Sequence, residues 1–205
     1  MSDNTQTPNK VEQAAAGDGG GAGGGEKAPK KKKKEVEVPV ATGMTPKQRE
    51  LRAELAALRA KVDDLRGAGD LASAITLVAK FEKKTRLALE YEICADAAVV
   101  LVELYQEAGD LKALNTAVLT ISKHRQQHRR VIAAIMGSSM KFLNDHTFDE
   151  KEYLDYLQTL RTVSEGKIYL EVEAARLTMR LAKHKEADGD SEEASRVLLE
   201  VAVET

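Results

Sequence analysis

The segment Ala108-Gly109-Asp110-Leu111 decides the fold. A glycine at the end of a helix takes the left-handed conformation at little cost. An aspartate directly after it can accept hydrogen bonds from the free N–H groups of a new helix. The four residues therefore read as one helix stopping and the next starting at once. The same signal stands at Ala68-Gly69-Asp70-Leu71 and at Asp188-Gly189-Asp190-Ser191. Their aspartates lie 40 and then 80 positions apart. The position missing between them falls near Asp149 and Glu150, just after the break Asn144-Asp145-His146-Thr147. Four junctions at a period near 40 predict helix-turn-helix (TPR-like) repeats.

The stretches between the junctions carry apolar residues at spacings of three and four, without sustained alternation of period two. Leu71, Ile75, Val78 and Phe81 mark one helix, and Ile93, Ala97, Val100, Leu101 and Leu104 the next. Leu111, Leu114, Val118 and Ile121 follow, then Val131, Ile135, Met136, Met140 and Leu143. Tyr153, Leu157, Leu160 and Val163 mark a sixth helix, Leu170, Leu177 and Leu181 a seventh, and Ala194, Val197, Leu198 and Val201 an eighth. Upstream, Thr45-Pro46 has the form of an N-cap followed by proline at the first helical position. Leu51, Leu55, Leu58, Val62 and Leu65 then form a seam just over two heptads long. That is too short for a coiled coil and predicts a helix docked against its neighbour. Each helix pair leaves an apolar face that only stacking can bury, so the expected fold is an all-α solenoid. The last helix lacks a polar capping repeat, which predicts a fragment or a partner over that end.

Residues 1–43 differ in physics. Half of the chain's 14 glycines fall between Gly17 and Gly25, where little apolar surface offsets the entropy of ordering. The sequence predicts a disordered tail over 1–43 and a helical-repeat domain over 44–205. Gly19 to Gly24 fits G-x-G-x-x-G but neither follows a strand nor opens a helix, so it is no dinucleotide site. Lys30 to Lys34 is a solvated tail charge or a nuclear-import address.

Composition narrows the function. A net charge of −2 over 205 residues argues against nucleic acid as a partner. No apolar run reaches the ~20 residues of a membrane span. The single cysteine, Cys94, has no partner for an internal disulfide and suits a reducing compartment. It sits among apolar residues, and Glu90, Glu92 and Asp96 would raise its pKa, so a buried structural role is expected. His124 and His128 have a metal-clamping i, i+4 spacing, but Lys123, Arg125, Arg129 and Arg130 around them disfavour a second cation. The expectation is a basic, solvated helix face and a contact surface for an acidic protein. No catalytic motif, cofactor site or metal site is expected, and no enzyme activity.

Periodicity does not explain Ser164-Glu165-Gly166-Lys167-Ile168-Tyr169, where a glycine breaks the helical pattern before it resumes through Arg176. With Phe81-Glu82-Lys83-Lys84-Thr85-Arg86, Ser122-Lys123-His124-Arg125, Gly189-Asp190 and Val203-Glu204-Thr205, this stretch resembles the PCI-family lid subunits of the 26S proteasome. The resemblance spans roughly Leu65 to Thr205. It implies a right-handed helical-repeat arm that precedes a winged-helix PCI domain in the family. It implies a hetero-oligomeric scaffold touching other lid subunits, the ATPase base and the core particle's α-ring, in cytoplasm and nucleus. It implies no catalytic residues, only the positioning of a partner deubiquitinase. A related PCI complex such as the COP9 signalosome shares the architecture and is the alternative. The Gly- and Lys-rich tail departs from the family pattern.

Overall fold

Thr45 opens the first helix, α1 (Pro46–Gly67), through a capping box. Its side chain accepts from the Gln48 N–H, and the Gln48 side chain accepts from the Thr45 N–H. The computed structural model describes residues 43–203. The expected tail up to residue 42, with its glycine and lysine tracts, lies outside the described residues. So do Glu204-Thr205 and the side chains of Val201 and Val203.

Seven further helices follow: α2 (Leu71–Leu87), α3 (Tyr91–Glu107), α4 (Leu111–Lys123), α5 (Arg129–Asp145), α6 (Glu150–Ser164), α7 (Glu171–Ala187) and α8 (Ser191–Val203). A single 3-10 turn, Ile168–Leu170, precedes α7, and no strand occurs among the described residues. The all-α helical-repeat expectation holds.

The junction chemistry is as the sequence reads. Gly69, Gly109 and Gly189 all have positive φ, at 76°, 70° and 85°. Asp70 accepts from the Ser73 N–H, Asp110 from those of Lys112 and Ala113, and Asp190 from that of Glu193. Asp149 caps α6 through the Glu152 N–H at 2.7 Å. That junction has no glycine; aromatic packing secures it instead. Phe148 meets Phe142 edge-on at 5.3 Å and Tyr153 at 6.2 Å, a hydrophobic staple across the cap.

Packing follows the repeat order. α3 touches α1, α2, α4 and α5, while α4 also packs on α6. α3 is buried almost all round, with Ile93, Cys94, Ala95, Ala97, Ala98, Val100, Leu101, Val102 and Leu104 inside. Its alanines let neighbouring helices approach closely. The main core runs from Val62 to Leu177, and each leucine buried there contributes about 1.5–3 kcal/mol. α1 docks through Leu51, Leu55 and Val62, as the short seam predicts.

Three expectations need correction. Leu170 lies in the 3-10 turn rather than in α7. Leu198 is not a core residue but is 47% exposed, beside Leu199. Residues 124–128 do not form a helix face, because α4 ends at Lys123 and α5 begins at Arg129.

Candidate protein-interaction surfaces

The stretch between α6 and α7 is a type II β-turn. Glu165 sits at φ −53° and ψ 131°, Gly166 at φ 66°, and the Lys167 N–H donates to the Ser164 carbonyl at 3.1 Å. Glycine takes this left-handed position without the steric cost a Cβ would bring. The Lys167 ammonium donates to the Val163 carbonyl, and the Ser164 hydroxyl to that of Arg161, so helix-end carbonyls are satisfied. Ser164 and Leu170 are buried and anchor the two ends of the turn.

Between those anchors the side chains point out. Ile168 is 88% exposed, and Tyr169 and Val172 are also exposed. Val172 and Arg176 are one helical turn apart on α7, and both are accessible. The signature residues Glu165, Gly166, Ile168, Tyr169 and Arg176 are all accessible. A rigid turn carrying an uncovered isoleucine, tyrosine and valine is suited to contact another protein. Val172 belongs with this group; period-based reading missed it because a single valine on a polar helix face carries no signal.

The second surface is the α4–α5 loop. Here Gln126 takes φ 66°, and the Gln127 N–H donates to the His124 carbonyl at 3.1 Å. The loop is pinned to α2 from below. Glu82, 2% exposed, accepts from Arg86 Nε at 3.1 Å and from Gln127 Nε2 at 3.2 Å. Arg86 Nη1 donates to the Arg125 carbonyl at 2.9 Å. His124 Nδ1 lies 3.8 Å from the same Glu82 oxygen. Two sequence stretches that independently carry the family resemblance, 81–86 and 122–125, therefore meet in one buried polar cluster.

His124 and His128 do not face a common ligand position. His128 caps α5 by accepting from the Arg130 N–H, and its ring stacks on Tyr91 at 4.0 Å. Above the pinned loop, Lys123, Arg125 and Arg129 are exposed and form no ion pair among the described residues. Arg130 pairs with Glu92 at 3.0 Å across an exposed surface, which adds little stability.

Cys94 is buried, and its thiol is pushed up to about 12, first by desolvation and then by the Glu82 charge. The direction matches the sequence reading, but the acid responsible is Glu82, twelve residues upstream, rather than Glu90, Glu92 or Asp96. No helix among the described residues is long and apolar enough to cross a membrane.

Fold and surfaces together define an all-helical repeat protein with exposed turns between its helices. The chain belongs to the family described as PSMD12/CSN4, N-terminal, whose family model matches residues 73–205. It is 39% identical over 137 residues to the 26S proteasome non-ATPase regulatory subunit 12 homolog A of Arabidopsis thaliana, covering 67% of this chain and 31% of that protein. It is likewise 39% identical over 142 residues to the 26S proteasome non-ATPase regulatory subunit 12 of Dictyostelium discoideum, covering 69% and 32%. Identity to the 26S proteasome regulatory subunit RPN5 of Saccharomyces cerevisiae is 31% over 146 residues, covering 71% and 33%. The chain spans about a third of the length of the curated relatives it matches.

Proposed function

We propose that this chain is the helical-repeat arm, residues 44–205 behind a tail of 1–43, of a non-catalytic scaffold subunit of the 26S proteasome regulatory particle lid. The observation that carries this reading is the naming of its relatives as 26S proteasome regulatory subunits in a plant, an amoeba and a yeast. Its role is ubiquitin-dependent protein degradation through protein–protein contacts, in cytoplasm and nucleus. Its partners are other lid subunits, the ATPase base and the core-particle α-ring.

The surfaces support a scaffold. The turn at Ile168 and Tyr169 offers apolar contact area on a rigid frame. Lys123, Arg125 and Arg129 offer cations to an acidic subunit face. Two buried polar groups serve the packing: Glu82 in its ion pair with Arg86 and Cys94 as a buried, protonated thiol.

The alternative is an arm of a related PCI complex such as the COP9 signalosome, since the family description also names CSN4. Affinity purification of the tagged chain, or better of its full-length parent, followed by mass spectrometry separates the two. Proteasome lid subunits are expected. Recovery of signalosome subunits without them would transfer the chain to the alternative.

A further inference from the structure

We propose that Glu150, His184 and Asp188 form a surface site for a borderline divalent transition-metal ion, with zinc(II) as the reference ligand. The site would clamp the start of α6 to the end of α7. One ligand atom from each of the three residues lies within 4.8 Å of the others.

The geometry is that of an oriented imidazole. His184 is 18% exposed, and its ring stacks on Tyr153 with centroids 6.0 Å apart and planes 18° from parallel. Its Nδ1 lies 3.0 Å from Asp188 Oδ2, and its Nε2 lies 3.8 Å from Glu150 Oε1. With Nδ1–H donating to Asp188, the Nε2 lone pair faces Glu150. A carboxylate that holds one ring nitrogen while the other meets the metal is a recurrent arrangement. Two ligands on a tetrahedral zinc stand about 3.4 Å apart, given bond lengths near 2.1 Å. Glu150, with 71% of its side chain exposed, is free to close the remaining gap. Asp188 acts on the ion through the imidazole it orients, and waters complete the coordination shell.

The local field also favours a cation. His184 lies in the last turn of α7, at the negative end of the helix dipole. The opposite charge at the α6 N-terminus is offset by Glu150 and Glu152, both in its first turn. Imidazole with carboxylates suits zinc, copper or nickel rather than magnesium or calcium, which prefer all-oxygen shells. The α6–α7 chain connection lies at the far end of the pair, so a metal would close the open end.

The test is calorimetric titration of the tag-free, chelator-treated chain with zinc chloride, with melting curves alongside. One saturable zinc per chain and a raised melting temperature are expected. His184→Gln should abolish both, and Asp188→Asn should weaken binding roughly tenfold. Glu150→Gln, at an exposed position where any loss of stability is small, should weaken it at least as much. His128→Gln should leave binding intact, and excess magnesium should not compete. Absence of saturable binding, or binding retained in His184→Gln, would overturn the proposal.

Discussion

The Arg86 guanidinium donates to the main-chain carbonyl of Arg125 at 2.9 Å, so a helix in the first repeat holds the loop that follows the fourth helix. The same guanidinium is paired with the buried Glu82 carboxylate. One side chain thus neutralises a charge and fixes a turn 39 residues away. Removing either partner leaves the other charge buried without compensation, a loss of about 3–5 kcal/mol in comparable pairs. Glu82→Ala should therefore lower the unfolding free energy by about 3 kcal/mol in urea titration. Arg86→Ala should cost as much, and the double mutant less than the sum. A change below ~1 kcal/mol for either single variant would show that the cluster is not energetically coupled.

Gly166→Val should destabilise by over ~1 kcal/mol, because a β-branched residue resists positive φ. A Cβ there would meet nothing within 4 Å, so the cost would be conformational and not steric crowding. Gly166→Ala should fall between wild type and valine. An unchanged melting temperature for the valine variant would sink this account of the turn.

The junction between α2 and α3 has the same geometry as the glycine junctions, but with leucine in the left-handed position. Leu89 has φ 60°, its N–H donates to the Arg86 carbonyl, and the Glu90 N–H reaches back to that of Thr85. The side chain is 52% exposed, so little burial is lost on removing it. Leu89→Gly should raise the unfolding free energy by up to ~1 kcal/mol, less the added entropy of glycine in the unfolded chain. Thermal melts that show a clear loss would mean that the Leu89 side chain holds more than its exposure suggests.

These cases show which features the sequence makes legible. Gly-Asp junctions are local chemistry: the glycine supplies the φ and the aspartate the cap, whatever packs above them. The Leu89 junction was invisible because packing of α2 on α3 forces a left-handed residue where no glycine advertises it. The loop 124–128 reads as helix in the sequence for a related reason. It contains no glycine or proline, and Gln126 is held at φ 66° beside a carbonyl bound by Arg86, far away in sequence. The signature turn stood out because its glycine interrupts an otherwise regular period. Its outward Ile168 and Val172 needed the structure, since an apolar residue in sequence reads as core.

Cys94 should be inert to thiol reagents in the native protein. Burial and the neighbouring Glu82 push its thiol up to about 12, so almost no thiolate exists near neutral pH. The folded pKa lies above the unfolded value near 8.5. The folded state therefore holds the proton more tightly, and this contribution to stability is full below pH ~8.5 and declines as pH rises toward 12. Labelling by an aromatic disulfide reagent should be slow in buffer at pH 8 and rapid in denaturant. Rapid stoichiometric labelling of the folded chain at pH 8 would contradict the buried placement.

Ile168 offers the sharpest separation of folding from recognition. It is 88% exposed, so Ile168→Glu removes almost no burial and should leave the melting temperature within about a degree of wild type, as surface changes usually do. The same substitution places a charge in the middle of the apolar edge formed with Tyr169 and Val172. If that edge meets another subunit, desolvating the new carboxylate should weaken association by tenfold or more, or about 1.4 kcal/mol. Co-purification of partners with the Ile168→Glu chain, quantified against wild type, reads this directly. Arg129→Glu on the basic loop provides the comparison, since it should act mainly on association rate and salt dependence. Full recovery of partners by the Ile168 variant would remove the turn from the interface, and the basic loop would remain as the contact to test.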